Sequence, residues 1–304
     1  MAHRSLPDAV RRLLDERSEA RDARDWARAD ALRDELATLG WEAQDGPSGS
    51  TARPILPPAS EPGAGLADPA EVAVSIQAVA EDHADDLARF LRGLAAHPPA
   101  ATWELVIVAN APTFELEPVL AGAGLPLQPR VVATDGRLGW ADARTLGMQR
   151  SRGEVTVLLD TSLEPTGDVV APLLSAFEDP SVGIAGGWGV TSEDGHEFED
   201  APPGEVDAVE GYCLAVRRAA LRAVGGFDRR FRFYRNADLD FSFAIRDAGW
   251  RAVRTAPLPV ERHEHRGYAS LPDDERDRLS RRNFYRFLDR WRDRPDLLLH
   301  RRGR

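Results

Sequence analysis

The sequence predicts an α/β protein: a mixed, mainly parallel sheet flanked by helices, preceded by a small N-terminal helical hairpin. Three observations carry this expectation. From Glu71 onward, apolar runs of strand length alternate with segments of helical spacing, the order expected of parallel strands joined by helical crossovers. Hydrophobic residues make up 42% of the 304 positions, enough to fill one large domain plus a small appendage. Residues 5–39 show only helical periodicity, in a background of Arg, Asp, Glu, Ala and Leu.

Taken in chain order, Val10, Leu13 and Leu14 mark a first helix, and Trp26, Ala29, Leu32 and Leu36 a second. The break falls near residues 20–25, with Gly40 as the C′ residue that ends the pair. This hairpin unit is expected over residues 1–46. Residues 47–69 are rich in Pro, Gly, Ser and Ala and read as an exposed linker. The main domain, residues 70–304, opens with a strand over 72–79, a helix over 84–96 and strands over 103–109 and 130–133. A helix over 140–150, a strand over 155–159 and a helix near 169–177 follow. A further strand is expected over 253–261, and a helix over 273–292 that docks by Phe284, Phe287 and Trp291. The basic end, His300 to Arg304, reads as a solvated tail.

Composition excludes several chemistries. The 39 basic residues are all arginine, so lysine Schiff bases, pyridoxal phosphate attachment and a P-loop lysine are ruled out. A net charge of -11 argues against nucleic acid as a general partner and limits membrane contact to the periphery. Cys213 is the only cysteine and sits in an apolar, strand-like segment, which suits a packed thiol rather than a nucleophile or a zinc ligand. No apolar stretch has the length or flanks of a signal core or a membrane span, so a cytoplasmic, reducing compartment is expected.

The chemistry concentrates in separated acidic and imidazole positions. Asp160 ends the apolar run Val155-Thr156-Val157-Leu158-Leu159, and ligands of open α/β sheets gather at such strand ends. Downstream, Gly211-Tyr212-Cys213 leads through Gly225-Gly226-Phe227-Asp228 to Asn236-Ala237-Asp238-Leu239-Asp240, just before a helix. Aspartate there serves equally as an N-cap. His263 and His265, at i and i+2, would project to one side of an extended segment as ligands do. Arg262 and Arg266 beside them suit either phosphate oxygens or surface pairing with Asp273 or Asp274. Gly186-Gly187-Trp188-Gly189 lets backbone approach a ligand closely, or marks a bulge in a core strand.

From Glu71 to Trp291 this order of motifs resembles family 2 glycosyltransferases of the GT-A fold. The phrase Ser151-Arg152-Gly153-Glu154 before the strand and Leu138-Gly139-Trp140 through Gly147 share in the likeness. The resemblance implies a nucleotide-diphosphate sugar donor, a hydroxyl acceptor of unknown identity, and inversion of configuration. Asp160, with His263 or His265, would hold a divalent metal, Mg2+ or Mn2+, on the diphosphate, and Asp238 would be the base. Asp240, Arg262, Arg266, Asn110 (after the second strand) and Trp188 (toward the acceptor) are the substrate-binding candidates it implies. Two positions depart from the family pattern. Ser162 stands where a second acid is usual, with Glu164 as a substitute two residues on, and Ala237 replaces a glutamate. These departures keep open a second reading, a nucleotide-sugar-binding or regulatory protein without turnover.

The first forty-odd residues, Ala27-Arg28-Ala29-Asp30 through Gly40 and Asp45-Gly46-Pro47, look like the C-terminal piece of bacterial cysteinyl-tRNA synthetases. That implies a tRNA-associated factor. The charge pattern alone implies a hairpin used for packing or self-association.

Overall fold

The computed structural model describes residues 7–39, 41–46, 49–54, 66 and 68–301. Gly40, the expected end of the hairpin, and residues 302–304 of the basic tail lie outside them. The chain divides into two compact units, residues 1–60 and 61–304.

In the first unit α1 (Asp8–Asp22) and α2 (Trp26–Thr38) form the expected hairpin, and the Asp25 carboxylate caps α2 by accepting the Arg28 N–H at 3.1 Å. Strand β1 (Trp41–Gly46) then pairs antiparallel with β2 (Gly49–Pro54). Val10, Leu14 and Leu36 are buried against Trp41, Ala43 and Ala52. The supposed linker therefore does not begin at residue 47. Gly49 and Ser50 belong to β2, Gly49 pairing with Gly46 of β1, and such residues look the same in hairpins and in linkers.

The second unit runs β3 (Val72–Ala80), α3 (Ala84–Ala96), β4 (Trp103–Ala109), α4 (Leu116–Ala121), β5 (Arg130–Ala133), α5 (Trp140–Arg150) and β6 (Gly153–Leu159). It continues through β7 (Leu163–Pro165), α6 (Val170–Ala176), β8 (Val182–Gly186), β9 (Gly189–Thr191), β10 (Glu199–Asp200), β11 (Gly204–Glu205), β12 (Ala208–Val209) and β13 (Cys213–Arg217). The remainder is α7 (Arg218–Val224), α8 (Ala237–Asp247), β14 (Arg251–Arg254), β15 (Val260–Arg262), α9 (Arg266–Ala269) and α10 (Asp273–Trp291).

Eight strands form one sheet in the order β11-β14-β8-β13-β6-β3-β4-β5. β6, β3, β4 and β5 are mutually parallel, while β13 runs antiparallel between β6 and β8. The pleat divides each central strand between two cores. Val155, Val157 and Leu159 of β6 face the layer that holds Phe90, Leu91 and Leu173, whereas Leu158 faces Met148, Leu221, Phe241 and Ile245. Both faces are thus covered, which is why these strands read as continuous apolar runs.

The strand expected over 253–261 is two. β14 ends at Arg254 and β15 starts at Val260, pairing with β7 instead of the main sheet. Pro257 and Pro259 lie between them and cannot donate to a ladder. This break swings His263 and His265 across the carboxyl end of β6.

Candidate active site

Asp160 is held at the end of β6 by its own N–H, which donates to the Tyr212 carbonyl at 2.9 Å. Its Oδ1 accepts the Ser162 N–H at 3.0 Å and the Ser162 hydroxyl at 2.6 Å. Its Oδ2 faces Arg144 Nη2 and His265 Nε2, each at 3.5 Å. Burial alone would raise this carboxyl, but His265, Arg144 and Ser162 outweigh it and hold Asp160 well below the usual carboxylate range. Burial in turn pushes His265 down, and the Asp160 charge overrides that to raise it. Arg144, from α5, lies 4.1 Å over the Trp140 ring, and burial lowers it against the pull of Glu81 and Asp160.

Asp238 enters the same cleft from the first turn of α8. Asn236 precedes it with φ 64°, a left-handed turn that asparagine tolerates. The Asp238 Oδ2 accepts the Gly211 N–H at 2.8 Å, and its Oδ1 accepts the Leu239 N–H at 3.0 Å. Burial outweighs both bonds and raises this carboxyl above the ordinary aspartate value. Asp160, Asp238 and His265 line one hollow together with Trp140, Tyr212 and Tyr234. A second pocket shares Trp140, Asp160, Gly211 and His265 with it and is further lined by Gln77, Glu81, Asp82, His83, Arg144, Ser162 and Arg266. The two carboxylates thus sit in one cleft under opposite electrostatic regimes.

The other expected residues disperse. Asp240, two positions after Asp238, points away from the cleft, because residues two apart on a helix face nearly opposite sides. Its carboxylate accepts Trp291 Nε1 at 2.8 Å and pairs with Arg290 at 2.9 Å, tying α8 to α10. The two histidines separate as well. His263 Nε2 meets Glu164 at 2.8 Å, and these two group with Glu261 rather than with Asp160. The one-sided projection expected of them fails because the extended segment ends at Arg262, and His265 already caps α9. Glu164, committed to His263, does not substitute for the missing acid at Ser162.

Arg266 lines the second pocket but is paired with Asp85 at 2.5 Å and Asp86 at 2.7 Å, not with Asp273 or Asp274. Arg262 lies 4.3 Å over Tyr212 and 5.1 Å over Trp188, on the side of Asp238. Trp188 meets Tyr212 edge-on at 6.2 Å and reaches neither pocket wall. The glycines beside it are required by packing: a Cβ on Gly187 would lie 2.6 Å from Leu258 Cδ1. Asn110 is fully buried, and its amide is spent on Glu81 at 2.6 Å and on the Leu138 N–H and carbonyl at 2.7 and 3.2 Å. It braces the loop below the cleft. Cys213 is buried, and desolvation pushes its thiol up to about 12, as expected of an inert packing residue.

Sequence reasoning missed Arg144, Glu210 and Tyr234. Arg144 lay within the quoted helix start, but nothing in its spacing separates it from the other arginines. Glu210 is raised by burial first and then by the neighbouring charges of Asp238 and Asp200.

A divalent ion would join Asp160 and His265 by displacing the proton on His265 Nε2, since its Nδ1 accepts the Tyr268 N–H at 3.2 Å. Asp160 Oδ2 and His265 Nε2 lie 3.5 Å apart, a spacing that neighbouring ligands of one cation can have, while Ser162 occupies the other oxygen. One carboxylate and one imidazole leave the remaining positions for diphosphate oxygens and water. Arg144 is the competing cation at the same oxygen. Among the described residues no helix is long and apolar enough to cross a membrane.

Residues 75–256 match the family profile described as Glycosyl transferase family 2, and residues 3–51 match the Cysteinyl-tRNA ligase anticodon binding domain. Over 57 residues, 19% of this chain, the sequence is 44% identical to Cysteine–tRNA ligase 1 of Burkholderia lata, of which it covers 12%. Over 165 residues, 48% of this chain, it is 26% identical to the Pre-mycofactocin glycosyltransferase of Mycobacterium tuberculosis, of which it covers 33%. The chain therefore spans a third or less of the curated relatives it matches. GalNAc-T7 with UDP, GalNAc and Mn2+ superposes with a TM-score of 0.59 at 17% identity, covering 74% of this chain and 50% of that one. The mannosyltransferase PcManGT from Pyrobaculum calidifontis, with GDP-Man and Mn2+, gives 0.52 at 20% identity, covering 67% and 63%. These likenesses are of fold, and they show the second unit to be GT-A.

Proposed function

The chain belongs to glycosyl transferase family 2, and on that premise we propose that its cleft moves a sugar from a nucleotide-diphosphate donor to an acceptor hydroxyl, with inversion. The observation that carries this is the convergence of Asp160, His265 and Asp238 on one hollow. Asp238 takes the proton from the acceptor hydroxyl as its oxygen bonds to the anomeric carbon, and the bond from that carbon to the diphosphate breaks. Its raised carboxyl is a stronger base than an ordinary aspartate, which favours this transfer. A Mg2+ or Mn2+ held by Asp160 and His265 would neutralise charge developing on the leaving diphosphate. Ser162 fixes the Asp160 oxygen that faces away from His265, and Arg144 supplies a positive charge beside the other.

The two solved neighbours hold UDP with GalNAc and GDP-Man, so UDP- and GDP-sugars are the first to assay with Mn2+. Asp238→Asn should lower transfer by about 10²–10⁴-fold with donor affinity retained. Transfer unaffected by that change removes the base from this reading.

A second reading concerns the first unit. Its match to an anticodon-binding domain, and the exposed Trp26 at the α1–α2 tip with Arg21 5.7 Å from its ring, support tRNA as a partner or acceptor. Binding of unfractionated tRNA to the full chain, compared with Trp26→Ala, tests it. Equal affinity for the two proteins rules it out.

A further inference from the structure

We propose that the acceptor carries an anionic group, a phosphate or a carboxylate, beside the hydroxyl to be glycosylated, and that Arg235 and Arg262 bind it. The proposal rests on the transfer reading above and names the acceptor class for the same cleft. Tyr212 and Tyr234 form the wall of the hollow next to Asp238. Arg262 stacks over Tyr212 at 4.3 Å, and Arg235, which follows Tyr234 just before α8, is close enough for its charge to be felt at Tyr234 and Asp238. Both arginines are exposed, and among the described residues neither forms an ion pair with a carboxylate.

Nearby arginines behave differently. Arg229 pairs with Asp142 at 3.9 Å, Arg230 with Asp228 at 2.6 Å, Arg266 with Asp86 at 2.7 Å and Arg290 with Asp240 at 2.9 Å. In a chain with 50 acidic and 39 basic residues, two uncommitted guanidinium groups beside one base are not a by-product of excess positive charge. Glu210 is the carboxylate that feels both of them. Burial and the Asp238 charge raise its carboxyl above the usual glutamate value, against the pull of the two arginines.

The physical need is clear. Asp160 and Asp238 are the carboxylates of this hollow, and Glu210 is near enough to feel the Asp238 charge, so an anionic acceptor approaches the base against negative charge. Two arginines reverse that locally. The stacked Arg262 is already held flat by aromatic rings, so little rotamer entropy is lost when its fork meets a planar or tetrahedral oxyanion. The donor diphosphate has a cation of its own in Arg144, 3.5 Å from Asp160.

The test uses the full chain with Mn2+ and either UDP or GDP in the donor site. Glycerol, glycerol 3-phosphate, glycerate and unfractionated tRNA are titrated in turn, against the parent, the double variant Arg235→Gln/Arg262→Gln, and Arg262→Lys. The expected result is binding of at least one anionic probe but not of glycerol, weakened about tenfold or more in the double variant and less in Arg262→Lys. UDP or GDP affinity and the melting temperature should stay at parent values. Binding confined to tRNA assigns the anion to an RNA backbone, and binding of the small probes assigns it to a metabolite. Anion affinity equal in parent and double variant, or absent from the parent, overturns the proposal while nucleotide binding leaves the transfer reading standing. If neither nucleotide binds, both fall together.

Discussion

Asp238 shows a conflict between folding and chemistry at a single residue. A buried carboxylate that titrates above the ordinary aspartate value binds its proton more tightly when folded than when unfolded. Its contribution to stability is therefore complete below the unfolded pKa and is lost as the pH rises through the higher folded value. In the proposed transfer activity runs the other way, because only a deprotonated Asp238 can take the acceptor proton. Transfer should rise along an acid limb centred above the usual aspartate pKa, and Asp238→Asn should erase that limb. The same variant keeps an oxygen for the Gly211 N–H. It should match or exceed the parent in stability at neutral pH, by about 0.5–2 kcal/mol, with the gap closing below the unfolded value. Melting curves across pH check the sign; a variant clearly less stable at pH 7 would contradict this account of the site.

Among the elements, α8 and α10 hold the Asp238 side of the hollow, the side proposed for the acceptor. Asn283 of α10 is fully buried and donates from Nδ2 to the Phe233 carbonyl at 2.7 Å and the Arg235 carbonyl at 2.9 Å. It thereby holds the segment that carries Tyr234 and Arg235 into α8. Arg246 is buried in α8 and donates to the Val206 and Leu297 carbonyls at 2.8 and 3.0 Å, which anchors the other end of the helix. Asn283→Ala leaves two carbonyls unsatisfied and should cost about 1–3 kcal/mol. Because the pocket proposed for the donor is lined by other elements, the variant should lose acceptor-dependent transfer with nucleotide affinity intact. A kinetic comparison of donor and acceptor saturation separates these outcomes, and an effect confined to donor binding would place the 233–235 segment elsewhere in the mechanism.

At the scale of the whole molecule, a GT-A unit is joined in one chain to a small unit that resembles a tRNA-ligase module. A chain of net charge -11 gains little nonspecific affinity for nucleic acid, so any tRNA binding must come from local contacts. Affinity for tRNA should fall with salt on a shallow slope, since few phosphates are neutralised. Trp26→Ala should weaken it by about 1–3 kcal/mol, the worth of one stacked base, without changing that slope. Titrations of the full chain at several salt concentrations report both quantities. A steep slope that is unaffected at Trp26 would point to a basic surface in place of the α1–α2 tip.

The sequence by itself determined the layered fold, because burial on both sheet faces writes continuous apolar runs at strand spacing and helical faces write their own period. It also singled out Asp160 and Asp238, which the fold brings to one hollow and which sit where elements end and the local pattern marks the boundary. Tertiary structure alone decided the rest. Which of two neighbouring histidines meets Asp160 depends on a chain that breaks at Pro257 and Pro259 and re-pairs β15 with β7. Whether Asp240 or Arg262 serves the site depends on which face of a helix or ring each one meets. Asn110 was lost to its own hydrogen bonds, and Arg144 and Glu210 gained their roles from neighbours distant in sequence. Periodicity records whether a position is buried, whereas a site is made by the directions of side chains on separate elements, and those are fixed only when the elements pack.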